Sequence, residues 1–458
     1  MLPRSMICLV FLFSGCALRP SGERAERQRA EEAGRPYGGK RQPPALPERP
    51  APDDYVRVAL AANADLETRY WEWRAALERV PQDSSLPNVA VTLSYLYDYP
   101  FSLENLKPWN RTTIGVLNDP MTNIPFPTKL LAAGRRALED ARAAGLRFEA
   151  ARFQLQGRVR AAVYDWALLA ESIRLEEEDV ALIRMMVGEA TERLRSGSLP
   201  VQGLLEAQNR LDFAVNALER RRSRVPPARE RLNALLGRET GTPLPLPFEL
   251  PAARPLPLSD LELLGLASER SPELAALQRD VAGREEALGL ARQMFLPDLG
   301  LSWSAVGSIS RTVGGMLVLP TRLEAIRAGI DQAQAELARA RAARAQYERD
   351  LRASFVLNLA VLRDAERAIR LFQKGVLPRT EQMARLARAS YAVARGSLSE
   401  ALESARGPIE VRLTLAELRM ERERALAALE TWAAVDVEAM GPAAARAVGR
   451  PAGASGMR

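Results

Sequence analysis

The chain has 458 residues, 64 Lys and Arg against 57 Asp and Glu, 6% aromatic residues and no histidine; its length fits two or three domains or one elongated repeat architecture. Without histidine there is no His-based general acid–base catalysis, no Ser-His-Asp or Cys-His arrangement and no ordinary zinc site, and no P-loop or GxGxxG follows a strand pattern. Acidic and basic residues are interspersed rather than gathered into a Lys/Arg block with interleaved aromatics, so a nucleic-acid partner is not expected either, nor is a cofactor, a bound metal or an enzymatic activity.

At the start, Met1-Leu2-Pro3-Arg4 leads into the apolar run Met6 to Phe13 and then Ser14-Gly15-Cys16. A basic start, a short apolar core and small residues before a cut describe a secretory signal over residues 1–15, too short to span a bilayer permanently. The Ser-Gly-Cys sequence resembles a bacterial lipobox, which makes Cys16 the acylated residue; plain signal cleavage is the alternative. Cleavage there discards Cys8 and leaves one cysteine, so no internal disulfide is possible. Residues 16–52 are charged and rich in Pro and Gly, a composition that predicts an unstructured tether.

The remainder reads as two half-repeats, residues 53–240 and 258–432, separated by a Pro-rich linker at 241–257 and followed by a flexible tail at 433–458. Four landmarks recur in the same order. Ala64-Asp65-Leu66 stands against Pro272-Glu273-Leu274, and Leu86-Pro87-Asn88-Val89 against Leu296-Pro297-Asp298-Leu299. Phe126-Pro127-Thr128-Lys129-Leu130 matches Leu319-Pro320-Thr321-Arg322-Leu323, and Gly197-Ser198-Leu199 matches Gly396-Ser397-Leu398. Each half is expected to run helix, two strands, very long helix, sharp turn, helix.

Strands are expected near 88–97 and 112–118 in the first half and near 298–306 and 312–319 in the second. Val89, Val91, Leu93, Tyr95 and Tyr97 alternate with Ala90, Thr92, Ser94 and Leu96, and Leu299, Leu301 and Trp303 alternate with Gly300 and Ser302. Period-two alternation of large apolar with mostly small or polar groups suits a strand between lipid and water; two soluble hairpins packed on helices would read the same way. Four strands cannot close a membrane barrel alone, since single-chain barrels need at least about eight. In the helical stretches, heptad steps run through Ile173, Val180, Val187 and Leu194 and through Leu204, Leu211, Leu218, Val225 and Leu232, which predicts an antiparallel hairpin. Leu323, Ile330 and Leu337, then Ile409, Leu413, Ala416 and Met420, repeat it. Pro127 to Arg195 covers roughly 100 Å at helical rise. Pro226-Pro227 and Pro378 should break or kink their helices.

Two such half-repeats behind a lipobox and a Pro-rich leader resemble the TolC-type outer-membrane factors. The segments most like that family are Val376-Leu377-Pro378 with Tyr391, Gly396, Ser397 and Leu398, and the counterparts Gly197, Ser198, Leu199, Leu204, Leu205 and Ala207. The helix starts at Pro127 and Pro320 look like the branch serving heavy-metal resistance pumps. The resemblance implies a mainly α fold with a small β part, in a homotrimer whose twelve strands form one barrel in the outer membrane above a periplasmic barrel of helices. It implies a passive exit duct for small molecules or metal ions, partnered by a periplasmic adaptor and an inner-membrane pump of the resistance-nodulation-division type. The turn residues Gly197, Ser198, Leu199, Gly396, Ser397 and Leu398 would lie at the periplasmic tip and meet the adaptor. Glu400 and Glu403 would form stacked acidic rings in the lumen; alternatively they are solvated helix-start carboxylates, with Glu403 paired to Arg406. The competing function is a soluble periplasmic coiled-coil adaptor or scaffold lipoprotein, which normally carries one hairpin rather than two.

Overall fold

The computed structural model describes residues 18–38, 44–95, 108–118, 124–247, 249–256, 259–308, 310–393 and 395–435. Cys8, Cys16, Tyr97 and the tail from 436 onwards lie outside them. The first half contains α2 (Pro52–Ala62), α3 (Ala64–Asp83), β1 (Val89–Tyr95), β2 (Thr112–Asn118), α4 (Pro127–Arg195), α5 (Val201–Arg222) and α6 (Val225–Leu235); ahead of it lies α1 (Glu23–Ala33). The second contains α7 (Asp260–Arg270), α8 (Pro272–Gln293), β3 (Asp298–Val306), β4 (Ser310–Val318), α9 (Leu323–Leu371), α10 (Leu377–Ala392) and α11 (Leu398–Ala433). The paired landmarks fall at equivalent places: Ala64 and Pro272 open α3 and α8, Val89 and Asp298 open or adjoin the first strand of each half, and Pro127 and Leu323 open or adjoin the long helices.

The two halves break their long helices on opposite limbs. In the first, the outgoing limb α4 is continuous for 69 residues, and the return limb splits into α5 of 22 and α6 of 11 residues. In the second, the outgoing limb is interrupted, with α9 of 49 residues, a 5-residue π-helical turn at Phe372–Val376 and α10 of 16, whereas the return limb α11 runs 36 residues. Proline marks both breaks. Pro226 and Pro227 occupy the first turn of α6 and Pro378 the first turn of α10, where a missing N–H costs nothing.

The chain divides into two units. One holds residues up to 35, 69–148 and 273–347, hence the sheet. Its helical part packs Trp73 on Phe148 at 5.8 Å between ring centroids, with Tyr70 edge-on to Phe148 at 6.1 Å. Lys129, in the first turn of α4, is buried and donates to the Leu296 carbonyl at 2.7 Å and to Asp298 at 2.8 Å, tying the start of α4 to the start of β3. Here the expected tether is corrected. Residues 23–33 form α1, Ala30 is fully buried, and Arg27 donates to the Leu77 carbonyl at 3.1 Å and pairs with Glu78 at 2.8 Å. Composition misleads because this helix is ordered by charge pairing against α3 and by a single small apolar contact, neither of which raises its mean hydropathy.

The other unit holds 36–68, 149–272 and 348–435 of the described chain. Ile173, Val180, Ile183 and Met186 of α4, Ala207, Ala214 and Leu218 of α5, and Leu398, Ala401, Leu402 and Ala405 of α11 share one core, with Val187, Leu204 and Leu211 packed on it. Ile173, Val180 and Val187 therefore meet Leu204, Leu211, Leu218 and Val225 in one core, whereas Leu323 of the second-half series is exposed. The Pro-rich linker is fixed rather than loose: Leu244 is buried, Trp166 donates to the Pro245 carbonyl at 3.1 Å, and Arg254 is sunk into a buried ionic network.

Candidate functional site

Two regions carry the functional expectations. The first is the sheet, with strand order β1-β2-β3-β4, all antiparallel. Leu93 pairs with Ile114, Ile114 with Ala305, Leu299 with Leu317, and Trp303 with Val313. Because directly paired residues share a face, the register puts Val91, Leu93, Tyr95, Ile114, Leu299, Leu301, Trp303, Val313 and Leu317 on one side. Thr92, Ser94, Thr113, Gly115, Gly300, Ser302, Ser304, Thr312 and Gly314 take the other. Arg311, next to the β3–β4 turn, and Met316, opposite Gly300, depart from the pattern. The apolar side is bare: Val91 is 68% exposed, Leu93 73%, Leu301 62% and Val313 80%.

The glycines that interrupt β2 and β4 have a specific use. Thr92 donates through its hydroxyl to the Gly115 carbonyl at 3.4 Å, and Ser302 does the same to the Gly314 carbonyl at 3.4 Å. A Cβ at either glycine would lie 2.6 Å from that hydroxyl oxygen. The same hydroxyl-over-glycine pair thus occurs once in each half. The outer edges of β1 and β4 have no strand beside them among the described residues.

The second region is the pair of turns. At the first, Gly197 adopts φ 73°, Ser198 N–H donates to the Arg193 carbonyl at 2.9 Å, and Gly197 N–H donates to Leu194 at 3.0 Å. This is a Schellman ending, which glycine favours because a left-handed residue is needed. The next helix starts behind Pro200 with no side-chain cap. At the second turn the roles change: Gly396 is not left-handed, and the Ser397 hydroxyl accepts from the Glu400 N–H at 3.1 Å. Each turn uses one half of the Gly-Ser chemistry that both sequences offer. Leu199 and Leu398 anchor the two turns in the common core. The Arg193 guanidinium lies 4.0 Å above the Tyr391 ring and donates to the Tyr391 carbonyl at 2.9 Å.

Glu400 and Glu403 are both exposed at the start of α11. Glu403 contacts Arg210 of α5 at 3.3 Å, and Arg210 also reaches Glu206, which accepts from the Ser399 hydroxyl at 2.9 Å. Arg406 does not serve Glu403; it pairs with Glu410 at 3.0 Å. The reason is direction: a residue on α5 faces Glu403 across the helix pair, whereas Arg406 turns towards the next turn of its own helix.

The sequence concealed a buried network farther along this unit. Arg254 pairs with Glu423 at 3.0 Å and Glu430 at 2.9 Å, and Arg160 pairs with Glu430 at 2.6 Å and Asp53 at 2.9 Å. Burial opposes the charge on Arg254, but Glu430 and Glu423 outweigh it and leave the guanidinium above its ordinary range. Burial likewise raises the Tyr164 hydroxyl beside them. No group of three or more potential metal ligands occurs among the described residues, and none of their helices is long and apolar enough to cross a membrane.

Comparison with known proteins now bears on this geometry. Residues 55–238 match the family model described as outer membrane efflux protein. Among solved structures, this chain superimposes on CusC with a TM-score of 0.69 at 18% identity, covering 86% of this chain and 98% of that one. It superimposes on the outer membrane protein VceC from Vibrio cholerae with a TM-score of 0.70 at 15% identity, covering 83% and 95%. The fold is thus TolC-like, mainly helical with a small antiparallel sheet. A sequence relative is the fusaric acid resistance protein FusA of Burkholderia cepacia, 25% identical over 299 residues. That match covers 61% of this chain and 52% of the relative, so the chain spans about half the length of the curated relative it matches.

Proposed function

We propose that this protein is the outer-membrane channel of a tripartite efflux system, a passive exit duct that works as a homotrimer. The observation that carries the reading is the sheet: among the described residues it has four strands, one apolar face left bare, and an edge at each end with no strand beside it. Lipid forbids open strand edges, and about eight strands is the least that closes. Three copies supply twelve. The family supports a partnership with a periplasmic adaptor at the Gly197–Leu199 and Gly396–Leu398 turns and with an inner-membrane pump, for which we favour the resistance-nodulation-division type. The FusA relative supports small organic molecules as cargo, and the segments Pro127-Thr128-Lys129-Leu130 and Pro320-Thr321-Arg322-Leu323 support metal ions in transit. We further assign Cys16 as the lipid anchor in the outer membrane, with the helices extending into the periplasm.

At the mouth, Glu400 in the first turn of α11 and Glu403 in the second are three residues apart, so they share a face, and threefold symmetry would stack them as two acidic rings. The test joins both levels. Detergent-solubilised protein is expected to scatter light as a trimer, and a monomer would overturn the reading. In planar bilayers, wild type is expected to prefer cations and to be blocked by multivalent ones; Glu400→Gln with Glu403→Gln should lose both properties. Unchanged selectivity in the double variant would move the constriction elsewhere in the duct.

A further inference from the structure

α4 carries four consecutive acids, Glu176 to Asp179, and three of them meet a cation in an ordinary way. Glu177 pairs with Arg222 of α5 at 2.8 Å, Glu178 with Arg412 of α11 at 2.8 Å, and Glu176 lies 3.9 Å from Arg221 of α5. Arg412 is shared with Glu381 of α10 at 3.5 Å. Asp179 differs. It is 2% exposed, its Oδ1 has no hydrogen-bond partner among the described residues, and its Oδ2 lies 4.0 Å from Arg406 of α11, beyond hydrogen-bond reach. Arg406 instead sits 3.0 Å from Glu410. One guanidinium therefore stands between two carboxylates, one buried and one exposed, and it is bonded to the exposed one.

A buried carboxylate without a bonded cation is costly when ionised and cheap when neutral. We propose that Asp179 is a proton-operated latch between the outgoing limb of the first hairpin, α4, and the return limb of the second, α11. When neutral, it lets the two helices close on it and leaves Arg406 with Glu410. When ionised, it must draw Arg406 off Glu410 or admit water, and either loosens the α4–α11 seam. The titration agrees with this geometry: burial first, then Glu176 and Glu410, push the carboxyl up to about 6 against the opposing pull of Arg406. The proton comes from and returns to solvent. Because the folded group holds its proton more tightly than an unfolded one, the seam is tightest below about pH 4, weakens as pH rises towards about 6, and changes little above that. This inference does not depend on the transport reading.

Hydrogen exchange on the full chain in detergent, followed from pH 4.5 to 7.5 with intrinsic rates corrected, tests it. Peptides covering residues 172–190 and 402–416 should be more protected at the acid end in wild type, and Asp179→Asn should abolish that difference. Two further variants read the same group by opposite shifts. Arg406→Gln removes the opposing cation and should move the midpoint up in pH, whereas Glu410→Gln frees Arg406 for Asp179 and should move it down. If Asp179→Asn does not fold, these two still decide. Identical pH profiles in wild type and Asp179→Asn, or midpoints that move in the same direction in the other two, would overturn the latch.

Discussion

At the scale of residues, the positions that matter most are those where backbone geometry or buried charge leaves no alternative. Gly237 ends α6 with φ 65°, and a Cβ there would lie 2.4 Å from the Ala62 carbonyl oxygen. The left-handed conformation alone costs a non-glycine residue about 1–2 kcal/mol, and the backbone contact adds to it. Gly237→Ala should therefore lower the thermal midpoint, whereas Gly241→Ala, also left-handed but with open space around its Cβ position, should lower it less. Comparing the two variants by circular dichroism melts separates the clash from the conformational cost. Glu430 bridges two buried arginines, and Glu430→Gln would remove the carboxylate that they share, with an expected cost of up to about 3–5 kcal/mol. An unchanged melt would show that Asp53 and Glu423 suffice. None of this was legible from the sequence, because Arg254 and Glu430 are 176 residues apart and a buried pair reads like any two surface charges. Asp179 was hidden differently, inside an acidic run whose other members are ordinary surface partners.

At the scale of elements, periodicity carried the parts that are local. Val91, Leu93 and Tyr95 announced one face of β1, and Leu204, Leu211 and Leu218 announced the inner face of α5, because side-chain period alone fixes those faces. The pairing of β2 with β3 across the two halves is not a local property and needed the structure. Nor could the pattern choose which limb of each hairpin would break, since a helix absorbs proline readily at its first turn wherever one starts. The turns were half legible: glycine is required at 197 and dispensable by backbone angle at 396, while serine caps only at 397. The sheet gives the sharpest element-level test. Leu93→Arg and Thr92→Arg both place a charge at a position exposed in one copy, but on opposite faces. If the apolar side meets lipid, Leu93→Arg should cost about 2–4 kcal/mol near the midplane, and Thr92→Arg much less. Folding titrations into lipid vesicles measure the contrast, and equal effects would mean that neither face is selected by the bilayer.

For the whole molecule, if Cys16 carries lipid and the sheet joins a barrel, anchoring should be separable from barrel formation. One acyl chain holds weakly and several together hold firmly, so Cys16→Ser should lose fatty-acid label yet still yield protein that only detergent extracts. Label persisting on the variant would place the anchor at another residue, and extraction by carbonate would remove the barrel from the account. The two unpartnered edges of the sheet also bear on the order of events during biogenesis. An edge strand has no resting state in hydrocarbon, so if three copies close one barrel, a single copy cannot enter the membrane first and seek its neighbours afterwards. Insertion and ring closure would then be one event, and its rate should climb more steeply than linearly with the amount of protein supplied. On that reading each copy would carry a bare apolar face through an aqueous compartment beforehand, with the outer edges of β1 and β4, which have no strand beside them among the described residues, open to any strand they meet. Limiting expression should then raise the inserted fraction only while chaperones are scarce; with chaperones in excess, dilution should slow the appearance of finished channels.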